Sequence, residues 1–377
     1  MPSTLPKKRF VVYLTGQHNI VPELPLISRV THVALAFIRS EVFNIPDQQE
    51  WPLFTTVAEV RSKFAEGTKI QVAIGGWGNT EGFSTAARTS KSRKLFAENV
   101  KAMIDATGAD GNSEDYKQIP NSEKVWEIEA YPKLLAEIRA AIGPSKLLTA
   151  AVPGLERDMI AFTKSTIPKI NETVDFLNVM SYDLMNRRDN VTKHHSGVHD
   201  SIATLDAYSH PGMWVKDLNV GLGFYIKWFK TASNDTCDNV PAIGCRTEPM
   251  EHPVTGADLG KAGAFSWHDE VPPELAESFK RAMKYGADDS DVDFQGHYYM
   301  DKKERIFWSW DTPDSIRLKL EKIFSVWKPE SDHRNAIGGV FAWGLGEDAP
   351  HFAHLKAVND VLAEWDAGDQ VVEHEEL

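Results

Sequence analysis

Short apolar runs of strand length alternate with longer amphipathic stretches along most of the chain. That is the rhythm of βα units wrapped around a parallel sheet. The runs fall at residues 9–16, 31–38, 70–77, 147–153, 174–182, 219–225 and 338–343. Between them, residues 90–106 place Leu95, Phe96, Val100, Met103 and Ile104 at helical spacing, with Ser90 as N-cap. Residues 131–142 predict a second helix that stops before Gly143-Pro144.

The rhythm breaks between residues 227 and 310, a polar stretch that holds both cysteines and the aromatic pairs Tyr298-Tyr299 and Phe307-Trp308. This predicts a barrel-type domain of residues 1–226 and 311–377, interrupted by an insertion subdomain of residues 227–310. A final helix is expected to start at Asp311-Thr-Pro-Asp.

The 377-residue chain is 42% hydrophobic and 25% charged, which fits one large α/β barrel carrying an insertion. A net charge of −13 argues against nucleic acid or an anionic membrane surface as partner. No apolar run approaches the roughly 20 residues of a membrane span. The N-terminal segment does not read as a secretory signal, so the compartment stays open between extracellular and cytoplasmic. Asn171, Asn190 and Asn234 each begin an Asn-x-Thr sequon, and Cys237 and Cys245 are spaced for one small loop bridge. No nucleotide-binding loop, nucleophile elbow or metal pattern is present in the sequence; no cofactor is expected, and a monomer is.

The richest segment is Val179-Met180-Ser181-Tyr182-Asp183, where an apolar run delivers a phenol and a carboxylate together. In a barrel of parallel strands, groups at the C-terminal strand ends carry binding and catalysis. Three further segments give this pair its company. Ala73-Ile-Gly-Gly-Trp-Gly78, Met180-Ser-Tyr-Asp183 and Gly338-Gly-Val-Phe-Ala-Trp343 occur in order and at suitable spacing. Together they resemble the third-, sixth- and eighth-strand motifs of the family-18 glycoside hydrolases, fungal chitinases in particular, over residues 10–348.

The resemblance implies a (β/α)8 TIM barrel with a small α+β insertion before the last strand. It also implies action on chitin or chito-oligosaccharides: hydrolysis of β-1,4-linked N-acetylglucosamine in which the sugar's own acetamide attacks the anomeric carbon and a protonated Glu acts as general acid. Asp110, Tyr182 and Asp183 would take the remaining catalytic positions. Trp343 would floor the sugar pocket, and Met180, Trp77, Tyr225, Phe37 and Arg187 would line it. Each has a plainer alternative: Trp77 as cover for the barrel mouth, Phe37 as core, Arg187 and Arg188 as surface arginines. Trp267, Tyr298 and Trp308 could wall the groove, and two of the three are expected to be core of the insertion instead.

One motif is defective. The family's fourth strand reads Asp-Gly-x-Asp-x-Asp-Trp-Glu and ends in the acid. Here Asp110-Gly111 opens it, and counting on puts Ser113, Asp115 and Lys117 at the later motif positions. The polar run of residues 112–117 reads instead as a following loop, implying a deletion of roughly ten residues that removes the acid and truncates the strand. A barrel gapped there would lose on the order of 5–10 kcal/mol. The chain is then an enzyme without its acid, an oligosaccharide-binding lectin, or the product of a misjoined transcript. Glu114 is a candidate substitute acid, against a reading of Glu114-Asp115 as a solvated loop pair.

Overall fold

A computed structural model describes residues 8–115, 122–232, 237, 242–288, 296–327 and 336–375. Seven parallel strands come first: β1 (Arg9–Thr15), β2 (His32–Ile38), β3 (Lys69–Gly75), β4 (Gly111–Asp115), β5 (Leu147–Val152), β6 (Phe176–Val179) and β7 (Leu218–Gly223). Five strands of a separate sheet follow: β8 (Tyr225–Lys230), β9 (Ala262–Ser266), β10 (Ala287–Asp288), β11 (His297–Asp301) and β12 (Ile306–Trp310). The last barrel strand is β13 (Gly339–Trp343), and it pairs with both β7 and β1 to close the barrel. The TIM barrel expected from the sequence is therefore present, with an antiparallel sheet inserted before its last strand.

The helices form for the reasons their sequences give. Helix Ser90–Thr107 is capped by Thr89, one residue before the expected cap, in a reciprocal box with Ser92, and it ends on left-handed Gly108. Helix Pro313–Val326 starts behind Thr312 with Pro313 in its first turn. Strand residues that face outward (Ile70, Val72, Ile74, Leu148, Ala150) join Phe96, Val100, Leu134 and Leu135 of the surrounding helices in the main core.

The fourth strand is the chief correction. Neither gap nor open edge exists there: β4 registers against β3 from Gln71–Gly111 to Gly75–Asp115, and against β5 from Gly111–Leu147 to Glu114–Ala150. All five of its residues are buried, although not one is apolar with a side chain. Residues 112–115 are thus strand rather than loop, and Glu114-Asp115 is no solvated pair; the rest of the expected loop, through Lys117, lies outside the described residues. Two ladders satisfy this backbone, and barrel closure supplies the order that side-chain propensity does not.

The inserted sheet runs β10-β11-β12-β8-β9. Trp308 is fully buried there and donates from Nε1 to Ser278 Oγ at 2.9 Å. Tyr298 stacks on Phe307 at 5.9 Å, and Trp267 packs partly buried on the Trp308 cluster, so these aromatics mainly fill the insertion. Cys237 and Cys245 are disulfide-bonded. Thr192 exchanges backbone bonds with that loop, and its hydroxyl accepts from Cys245 N–H at 2.9 Å.

Candidate functional site

Aromatic side chains gather inside the upper barrel. Phe37, at the end of β2, stacks on Trp343, at the end of β13, with ring centroids 5.6 Å apart. Tyr13 lies 5.4 Å from Trp343, and Tyr182 packs on Phe341 and Tyr225. Met180 closes this cluster from the β6 side. The resemblance implied pocket positions for Phe37, Met180, Tyr182, Tyr225 and Trp343, with core as the alternative for Phe37, and the fold packs all five in one cluster.

Asp183 stands above them with a left-handed backbone (φ 54°), a conformation that Asp tolerates and that concentrates at functional sites. Its Oδ1 accepts from Tyr225 Oη at 2.7 Å and from Lys227 Nζ at 2.9 Å. Burial is the largest single influence and would raise this carboxyl, but Lys227, His195 and the Tyr225 hydrogen bond together outweigh it and hold Asp183 below its usual range. Behind it sits His195, fully buried, with Nδ1 3.8 Å from Asp183 Oδ1. Burial pushes His195 down to about 3, so its ring is neutral. Burial also raises Tyr182 and Tyr225 well above the ordinary phenol value, so both keep their protons and can donate.

Strand β4 contributes on two faces. Ser113 Oγ bonds Tyr13 Oη at 3.2 Å, so Ser113 points into the barrel, and by alternation Asp115 at the strand's C-terminal end does too. Asp115 bears electrostatically on Tyr13 and Tyr182. Asn112 and Glu114 take the opposite face, toward the helices, where Asn112 Nδ2 donates to Glu114 Oε1 at 2.5 Å. Glu114 Oε2 has no partner among the described residues, and burial pushes the carboxyl up to about 8. Glu114 has the raised pKa of a proton donor but faces away from the pocket, so the fold does not bring it to the site.

Other residues are placed differently from expectation. Asp110 lies before β4, at the opposite end of the barrel from Asp183; its Oδ2 accepts from Ile70 N–H at 2.8 Å and pairs with Arg61 at 2.9 Å. A strand of five residues separates it from the mouth, about 16 Å at ordinary rise, so it braces the barrel floor. Trp77 is 80% exposed, and the Arg187 guanidinium lies 5.7 Å from its ring. Arg187 is itself held by Asp258 at 2.9 Å. These two form a rim bridge between the loops after β3 and β6, outside the aromatic cluster. Arg188 pairs with Asp158.

Sequence reading missed Lys227, His195, Ser113 as a pocket group, and Glu347. Lys227 carried a usable signal: a lysine two residues after Tyr225 in an aromatic strand shares its face. Glu347 followed the Trp343 motif by four residues. His195 had none, because its burial depends on the inserted sheet.

The model of the family described as glycosyl hydrolases family 18 matches residues 9–348. Nod factor hydrolase protein 1 of Medicago truncatula is 29% identical over 259 residues, 62% of this chain and 65% of that protein. The chain spans less than two thirds of the length of the curated relatives it matches first, at 65%, 62% and 60%. Among solved structures, a chitinase from Rhizomucor miehei superposes with TM-score 0.72 at 19% identity, covering 94% of this chain and all of that one. A plant class V chitinase mutant from Cycas revoluta, in complex with (GlcNAc)3, gives 0.69 at 21% identity, covering 94% and 99%. At those identities the likeness is one of fold.

Proposed function

For a chain that belongs to the glycosyl hydrolases of family 18, we propose binding of chito-oligosaccharide at the barrel mouth without efficient hydrolysis. The direct register of β4 carries this reading. With Ser113 and Asp115 as the inward residues, the count along the family motif runs on unbroken from Asp110 and puts Lys117 at the position of the general acid. The strand closes the barrel as the chain stands, which favours the direct count over a deletion.

The remaining parts suit an N-acetylglucosamine unit. Trp343 and Phe37 offer an apolar platform for the C–H face of a sugar ring. Protonated Tyr182 is a donor for an acetamide oxygen, ionised Asp183 is an acceptor for hydroxyl or amide hydrogens, and the Asp115 carboxyl adds acceptor oxygens at the end of β4. Such groups can seat and orient the sugar. Cleavage also needs a proton delivered to the leaving oxygen, and a lysine ammonium serves poorly, since its ordinary pKa of about 10.4 lies far above working pH.

The test is restoration. Wild type is expected to bind (GlcNAc)4 with no more than trace turnover, and Ser113→Asp with Lys117→Glu to gain turnover by about 100-fold or more, the usual contribution of a placed general acid. Rapid release of N-acetylglucosamine oligomers by wild type would overturn the lectin reading in favour of an enzyme using another acid.

A further inference from the structure

A second carboxyl, that of Glu347, sits at the barrel mouth beside Asp183. Glu347 lies on the loop after β13, four residues beyond Trp343, with its side chain 12% exposed. A Cβ built at Gly344 would come 3.1 Å from Glu347 Oε1, so the carboxyl folds back over the backbone beside the Trp343 platform. Two other loops hold it there. His18, after β1, sets Nδ1 3.8 Å from Glu347 Oε1 and Nε2 2.8 Å from Asp269 Oδ1. Asp269 is fixed in turn by Ser266 N–H at 2.8 Å, and Trp267 N–H donates to the Glu347 carbonyl at 3.3 Å.

The charged groups that bear on Glu347 are His18, Asp269 and Asp183. Burial is the main influence and His18 opposes it, while the two aspartates add to it; the carboxyl is pushed up to about 7. Glu347 bears in turn on Tyr182 and Tyr225, which places it on the same pocket. A mere rim ion pair fits poorly, because His18 is already committed to Asp269 at the shorter distance. The geometry leaves a shielded carboxyl, framed by acids, that a cation complements more strongly than an uncharged acetamide does.

We propose that Glu347, positioned by His18 and Asp269, recognises the ammonium of a de-N-acetylated glucosamine unit in a β-1,4-linked oligosaccharide seated beside Trp343. This rests on Trp343 as sugar platform. The contact is a charge-assisted hydrogen bond, roughly twice as strong as a neutral one. It carries a thermodynamic mark as well: the ammonium stabilises the ionised carboxylate, so binding below about pH 7 displaces the proton that Glu347 holds in the free protein.

Calorimetry at about pH 6, in two buffers of different ionisation enthalpy, tests this with glucosamine and N-acetylglucosamine tetramers on wild type, Glu347→Gln and Trp343→Ala. Wild type should release a proton on binding the glucosamine tetramer. Glu347→Gln should abolish that release and weaken the complex about tenfold, leaving the acetylated tetramer within about twofold. Unchanged proton release in Glu347→Gln, equal losses for both ligands, or no binding of the glucosamine tetramer by wild type would each overturn the proposal. Undiminished binding of the acetylated tetramer by Trp343→Ala would overturn the platform reading alone, a result separable from the Glu347→Gln comparison.

Discussion

Lys227 holds its ammonium 2.9 Å from the same Asp183 oxygen that Tyr225 engages at 2.7 Å, so Oδ1 is saturated from within the protein and Oδ2 is left for a ligand. The buried Lys227 is the foremost of the groups that hold this half-exposed carboxylate in its ionised form.

Lys227→Met should therefore weaken (GlcNAc)4 binding and change its pH profile. In wild type the Asp183 carboxyl lies below its ordinary value of 3.8, so the pair's contribution is complete above that value and fades as pH falls through the lower one. Without the ammonium, burial dominates and the acid limb of binding moves upward. The stability cost is set at about 1–3 kcal/mol, reduced from a fully buried pair because nearly half of the Asp183 side chain is wet. Binding isotherms against pH, with denaturant titration, check both; an acid limb that stays in place would refute the role of Lys227.

Glu114 predicts a pH dependence of opposite sign. Its folded value of about 8 stands above the ordinary 4.5, so the folded state holds a proton that the unfolded chain gives up. Its contribution is intact below about 4.5 and is lost as pH rises to about 8, on the order of a few kcal/mol in all. Glu114→Gln should flatten the stability profile across that window and outlast wild type at mildly alkaline pH. Chemical denaturation at pH 5 and 9 is the measurement, and parallel profiles for the two proteins would contradict it.

Trp343→Ala should cost at least about tenfold in affinity for the acetylated tetramer, as loss of a stacking platform does, while leaving the barrel folded because the ring is only partly buried. Circular dichroism confirms the fold and calorimetry the affinity.

Removing the Cys237–Cys245 bridge should destabilise by about 2.5 kcal/mol or less, the chain-entropy figure for so small a loop. The loss is expected in the loop that Thr192 engages, with the barrel transition nearly unmoved. Hydrogen exchange on the Cys237→Ser/Cys245→Ser protein reads this directly.

The barrel was legible because seven of its strands are apolar runs whose burial writes itself into composition, and the site because Tyr182, Asp183 and Trp343 end such runs. Strand β4 was not, since Gly-Asn-Ser-Glu-Asp has the signature of a turn. What makes it a strand is position: Asp110 anchors its start on β3 and β5, and two neighbouring ladders complete it. Asp110 misled for the same reason, because motif order does not say which end of the barrel a residue reaches. Lys227 and His195 answer to Asp183 only once the inserted sheet has folded against the barrel.

That dependence gives the insertion a second meaning. Strand β8 leaves the barrel one residue after β7 and is clamped between β9 and β12, with Trp228 facing Trp308 across the ladder. Tyr225 and Lys227 lie on this strand. The alignment of the pocket carboxylate is thus measured from the insertion's own register, as a gauge is read from a fixed edge. Lengthening the loops toward β10 should leave the pocket alone, whereas a one-residue slip of β8 against β12 would turn both of Asp183's hydrogen-bond donors to the wrong face.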